Sequence, residues 1–326
     1  MSSPLKDQEL LELAGSTLVS ARDPNTSYRL ERVIGEGAHG VVYLAQQRSG
    51  DLETSTVIKL LRPRALRAGL GLVTLGKEVA ALELLSKRTP PTPYIVQLLD
   101  SGSVRVRDGL LDLPWLAVEY VQGGDSGTTL RTRVEASITQ SGHAFNAERA
   151  CLAIHCIASG LTAIHEVGVV HRDVNPGNVL CTGTGAQEIF KVADFGLARV
   201  SSVTTFGNVL LGTPGYCAPE QSFPDKVGVG PYSDVFSLAC CAYFVLTGER
   251  YFSAPTIPEM LVEVHGRERR SLLEARALCP ELQENPGYCR QLDALLAHAT
   301  HADPHARPPS ADAFGKRAVA SLQAAP

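Results

Sequence analysis

The sequence predicts an α+β chain in two lobes: a small antiparallel β lobe carrying one main helix, then a larger, mostly helical lobe. Three observations predict it. From Tyr28 two strand-like apolar runs flank a glycine-rich turn, as in a hairpin. From about residue 123 the texture becomes mostly helical, with apolar residues in steps of three and four. Asp234–Leu246 is apolar nearly all round, as a helix at the centre of a domain is.

Residues 1–27 read as a polar N-terminal extension with one short helical possibility around Leu5–Leu13. The β lobe is expected over 28–121 and the helical lobe over 122–326. Tyr28–Ile34 and Val41–Leu44 form the predicted hairpin, and Val57–Leu61 is a further strand. Leu75–Leu85 reads as the main helix of this lobe. Leu75, Val79, Leu82 and Leu85 share one stripe, and Glu78 faces inward with them. Ile95–Leu99, Ser103–Val106 and Trp115–Val121 complete a mostly antiparallel sheet. In the second lobe Ala150, Ile154, Ile157, Leu161 and Ile164 mark a helix that Asn146 can cap. The central helix stops at Thr247-Gly248. Such a body puts its site in the cleft between lobes.

Composition narrows the class. Hydrophobic residues make up 44% and charged residues 20%, an ordinary globular balance. A net charge of −4 gives no basic footprint for nucleic acid. No uninterrupted apolar run long enough for a bilayer stands out, and the N-terminus lacks a signal peptide's basic start and apolar run. The chain therefore reads as cytoplasmic. Its eight cysteines are scattered without a CxxC pair and read as reduced, buried thiols. Scarce Lys and Met beside abundant Ala and Gly suggest a GC-rich, bacterial genome.

The chemistry concentrates in His171-Arg172-Asp173-Val174-Asn175-Pro176-Gly177-Asn178 and Asp194-Phe195-Gly196. Asp173 can orient a hydroxyl nucleophile. Asn178 and Asp194 offer the hard oxygen ligands that magnesium prefers. Upstream, Gly35-Glu36-Gly37-Ala38-His39-Gly40-Val41-Val42 lies between strands. A dinucleotide turn would need a helix after it, so this pattern favours a flap whose amides cover phosphates. His298, His301 and His305 follow a helix and border the Asp303-Pro304 turn, and read as surface residues rather than zinc ligands.

These motifs resemble those of the eukaryotic-like (Hanks-type) serine/threonine protein kinase family, in family order from about Tyr28 to about Ala320. The Gly212-Thr213-Pro214-Gly215-Tyr216 and Ala218-Pro219-Glu220 segments resemble serine/threonine rather than tyrosine kinases. The resemblance implies a bilobal kinase fold using ATP and Mg2+ to phosphorylate protein Ser or Thr. Asp173, Lys59, Asn178 and Asp194 would be catalytic, with Asn178 and Asp194 on the metal and Lys59 paired to Glu78. ATP would lie against Ile34, Gly35, Glu36, Gly37, Ala38, His39, Gly40, Val42, Val57, Val118, Glu119, Val121, Asp125 and Leu180. Val57 stands where the family usually has Ala. Arg172, Thr213, Glu220, Asp234 and Arg307 would be structural, Glu220 with Arg307 as a buried ion pair. Arg172 would also face a phosphorylated loop residue, Thr204 or Thr205. Partners would be protein substrates, and a second copy for trans-autophosphorylation, without nucleic acid or membrane. One departure is Asn175, where most of these kinases carry Lys. It leaves open a nucleotide-binding pseudokinase that acts as scaffold or switch. A kinase for a small hydroxyl metabolite is a third reading, disfavoured by the long segment that closes at Glu220.

Overall fold

Alternation of buried and exposed positions builds the first sheet, as a half-buried pleated surface requires. A computed structural model describes residues 10–36, 40–62, 70–106, 111–196, 199–200, 212–222, 228–266 and 269–324. The chain divides into two compact units, one of residues up to Lys87 with Val96–Tyr120, the other of Arg88–Ile95 with Val121 onward.

The first unit holds a six-stranded sheet. Its strands are β1 (Thr17–Val19), β2 (Thr26–Glu36), β3 (Gly40–Ser49), β4 (Leu52–Leu61), β5 (Leu98–Val106) and β6 (Leu111–Glu119). They run in the order β1-β2-β3-β4-β6-β5, with every pairing antiparallel. Tyr28, Leu30, Val41, Tyr43, Ile58, Leu60, Leu113 and Trp115 fill one face. Helix α1 (Leu70–Ser86) lies on Leu61 and Leu116, with Leu75 and Val79 in the contact.

Three expectations change here. The stretch read as a polar extension supplies edge strand β1, and Leu10 and Leu18 are buried with the sheet. Three residues are too few to show a period, so the strand leaves little trace in the sequence. Second, Ser103–Val106 is the end of a single longer strand, β5, which begins at Leu98 rather than Ile95. Third, Tyr94 and Ile95 pack in the other unit: Val192 N–H donates to Tyr94 O at 2.9 Å, and Ile95 bridges Val192.

The second unit contains α2 (Leu130–Ser141), α3 (Ala147–Glu166), α4 (Pro231–Thr247), α5 (Ile257–His265), α6 (Pro280–Glu284), α7 (Pro286–Ala299) and α8 (Ala311–Gln323). Its short strands are β7 (Val169–Val170), β8 (Val179–Thr182), β9 (Ile189–Val192) and β10 (Arg199–Val200). β8 pairs with β9 and β7 with β10. Asn146 caps α3 by accepting the Arg149 N–H at 2.9 Å, and the predicted stripe Ala150, Ile154, Ile157, Leu161, Ile164 is buried. α4 is buried from Ser233 to Thr247. It ends because Gly248 turns left-handed at φ +72°, and a Cβ there would meet Ile138 Cδ1 at 2.3 Å.

α3 is long and apolar enough, by length and composition, to cross a membrane; 56% of its most apolar window is buried in the unit. Polar residues such as Arg149, His155 and Thr162 interrupt the run, so no single apolar stretch marks it.

Candidate active site

Each unit carries part of the predicted set. In the first, Gly35 and Glu36 end β2, and Gly40 and Val42 open β3, with Glu36 opposite Val41 and Gly35 opposite Val42. Gly40 has to be glycine: a Cβ would stand 2.7 Å from the Leu60 carbonyl. Ile34 is partly exposed beside them. Gly37, Ala38 and His39, expected at the tip of this turn, lie outside the described residues. Arg62, buried just after β4, reaches Glu36 at 2.6 Å and ties the end of β2 to the end of β4.

Lys59 follows Val57 and Ile58 on β4. Its Nζ meets Glu78 Oε2 at 2.7 Å, and Glu78 is buried. The inward stripe of α1 therefore delivers the expected ion pair. Val57 lies opposite Val118 on β6, so the two valines form one small apolar patch. Glu119 Oε1 accepts the Gln97 N–H at 2.9 Å.

The second unit assembles the rest. Asp234, at the first turn of α4, accepts three hydrogen bonds: from His171 N–H at 2.9 Å, Arg172 N–H at 2.8 Å and His165 Nε2 at 2.8 Å. Burial pushes its carboxyl up, but the His165 contact, the His171 charge and the Arg172 N–H outweigh it and hold the group below the usual carboxylate range. These bonds fix Arg172 at φ +72°, a left-handed backbone that a non-glycine residue keeps only when its surroundings impose it. Gln221 adds a bond from Nε2 to Arg172 O at 2.7 Å.

Asp173 is held by its side chain. Thr213 donates to Oδ1 twice, from N–H at 3.0 Å and from Oγ1 at 2.7 Å. Asn178 Nδ2 donates to Oδ2 at 2.9 Å and to Asp173 O at 2.9 Å. Burial pushes this carboxyl above its ordinary value and the Asp194 charge adds to that, against the Thr213 and Asn178 bonds and the His171 charge. Ala193 N–H donates to Asn178 O at 2.8 Å, which brings the Asp194 turn alongside Asn178. Asp194 sits at φ +60° with an exposed carboxylate, and Phe195 is buried with its ring 4.8 Å from His171.

The donor chemistry suits a hard divalent cation. The Asn178 amide spends its NH2 on Asp173, so its oxygen is the face left for a ligand, and Asp194 adds a carboxylate. Val121 is buried, Asp125 is exposed, and Leu180 on β8 bridges Thr129.

Glu220 and Arg307 form the expected buried pair, bidentate at 2.8 and 2.9 Å, with Ser233 Oγ on Glu220 at 2.7 Å. Thr204 and Thr205 lie outside the described residues. Three contributors escaped the sequence reading: His165, Gln221, and the buried pair Arg133–Glu188 that braces the β8–β9 hairpin. Each acts across more than forty residues, so no local spacing announces it. Among the described residues no His/Cys/Asp/Glu group is arranged to hold a metal by itself, and all eight cysteines are buried and free.

Comparison with known proteins identifies the family. The family model described as Protein kinase domain matches residues 28–317. Serine/threonine-protein kinase PksC of Streptomyces coelicolor is 33% identical over 322 residues, covering 96% of this chain and 52% of the relative. Serine/threonine-protein kinase PknJ of Mycobacterium tuberculosis is 31% identical over 316 residues, covering 93% and 47%. The PknI kinase domain of Mycobacterium tuberculosis, solved as a double mutant, shares the fold with a TM-score of 0.64 at 22% identity, covering 95% of this chain and 98% of that one. The chain belongs to the protein kinase family. It spans about half the length of these two curated relatives. Members of the family use ATP and a divalent metal.

Proposed function

We propose that this chain is a serine/threonine protein kinase that transfers the ATP γ-phosphoryl group to protein hydroxyls, with magnesium as the metal. The observation that carries the reading is the Asp173 carboxylate, fixed by three donors from Thr213 and Asn178. A carboxylate so held accepts the hydrogen bond of a Ser or Thr hydroxyl, aims its oxygen at phosphorus and takes up its proton. Lys59, oriented by Glu78, offers its charge to the nucleotide phosphates. Asn178 and Asp194 would hold magnesium, which when bound neutralises phosphate charge. The glycine turn would cover the phosphates, with Val57 and Val118 against the base. Positioning and electrostatics supply most of the rate in such a reaction.

Asn175 is the best support for the pseudokinase reading. The retained Lys59–Glu78 pair and the intact Asp173, Asn178, Asp194 set favour transfer. We further propose autophosphorylation in trans, within a transient homodimer, at Thr204 or Thr205.

The test is transfer from labelled ATP with magnesium, to the chain itself and to a generic protein substrate, beside Asp173→Ala. Label that vanishes in the variant supports the kinase. Nucleotide binding without transfer in the wild-type chain sinks it. Peptide mapping of the autophosphorylated chain then finds phosphate at Thr204 or Thr205, or refutes those sites.

A further inference from the structure

Asn175 bonds in two directions. Its Nδ2 donates to Thr213 Oγ1 at 3.1 Å and to Asp173 O at 3.1 Å, while its Oδ1 accepts the Gly177 N–H at 2.9 Å. The amide cannot be turned over. The Asp173 carbonyl only accepts and the Gly177 N–H only donates, so nitrogen and oxygen are assigned by their partners. The residue is 5% exposed, in a buried setting where a misdirected polar group is costly.

The consequence falls on Thr213. A hydroxyl has one proton and two lone pairs. With an amide N–H pointed at its oxygen, Thr213 has its own proton left to give, and Asp173 Oδ1 lies 2.7 Å away to take it. The Thr213 N–H reaches the same oxygen at 3.0 Å. An acceptor in place of that amide would compete for the hydroxyl proton and release one of the carboxylate's three donors.

We propose that Asn175 is a positioning residue, whose amide donor turns the Thr213 hydroxyl toward Asp173 and so fixes the carboxylate that receives the substrate hydroxyl. The task needs a donor and no charge, which is how a neutral side chain serves in this loop. The inference rests on the kinase reading of the site.

The two halves of the amide can be tested apart. Asn175→Asp keeps the acceptor for Gly177 and loses the donor to Thr213. Asn175→Lys keeps a donor and loses the acceptor. A residue that merely shapes the Pro176 turn would tolerate Asp and suffer from Lys; a residue that orients Thr213 does the reverse. The experiment is steady-state transfer from labelled ATP with magnesium to a generic protein substrate, with thermal melting by circular dichroism for each variant. The expected result is a fall in kcat of about 100-fold for Asn175→Asp. Its KM for ATP should stay within about twofold, and Asn175→Lys should keep kcat within about threefold of the wild type. Thr213→Val should lose kcat like Asn175→Asp, and adding Asn175→Ala to it should cost nothing more, because the two act as one unit. That pair carries the test if the Asp variant fails to fold. Retained kcat in Asn175→Asp, an equal loss in Asn175→Lys, or additive losses with Thr213→Val each overturn the inference. Absence of any transfer by the wild-type chain overturns the kinase reading, and this inference with it.

Discussion

Glu78→Gln keeps the shape of a buried side chain and removes the charge facing Lys59. The lysine then loses its fixed direction, and kcat/KM for ATP should fall about tenfold, near 1.4 kcal/mol in transition-state binding. Steady-state kinetics against ATP concentration checks it; an unchanged value would detach the pair from nucleotide handling. Asp234 makes a prediction in pH. Its carboxyl titrates lower in the folded chain than in the unfolded one, so its stabilisation is present above the ordinary carboxylate range and lost as pH falls through the folded value. Asp234→Asn does not titrate. Its stability deficit against the wild type should be constant near neutrality and shrink on acidification from about pH 5 toward pH 2. Thermal melts across that range test the sign. At this scale the sequence was most legible where function needs a fixed local spacing: Asp173, Asn178 and Asp194 could be named at once. It was least legible at Gln221 and His165, whose partners lie 49 and 69 residues away and whose neighbours along the chain say nothing about them.

Helices with one apolar stripe declared themselves. α1 and α3 followed from their spacing, and α4 from having no polar face at all. Strands fared unevenly, because β1 is too short to show alternation and the apolar run at Ile95–Leu99 crosses from one unit to the other before β5 begins at Leu98. The ends and anchors of elements are where substitutions should tell. Gly248→Ala forces a left-handed residue to carry a methyl into Ile138, and should cost about 1–3 kcal/mol in urea unfolding. Arg307→Ala leaves the Glu220 carboxylate buried without its bidentate cation, and should cost about 3–5 kcal/mol. A cost under about 1 kcal/mol would mean that water or another cation takes the place of Arg307.

The chain divides into two compact units, and one residue separates them experimentally. The only tryptophan in the chain, Trp115, is 1% exposed in the sheet core of the first unit. Seven of the eight α-helices described belong to the second unit. Tryptophan fluorescence therefore follows the sheet, and circular dichroism at helical wavelengths follows mainly the helical unit. Chains with more than one core need not unfold in one step. Leu18→Ala, in the sheet core, should shift the fluorescence midpoint and leave the dichroism midpoint nearly in place, whereas Gly248→Ala should do the opposite. Two probes that always move together would show one cooperative unit.

The eight buried, free cysteines also determine how the chain can be handled. Burial pushes every one of these thiols up, Cys151 and Cys156 to about 11 and Cys217 and Cys279 to about 12. At neutral pH the native protein thus offers almost no thiolate to a reagent. A chromophoric disulfide should react at the pace of opening rather than of collision, giving a colour-read clock for local unfolding. A single cysteine introduced on an exposed helix face could then carry a dye or spin label with the native eight left in place.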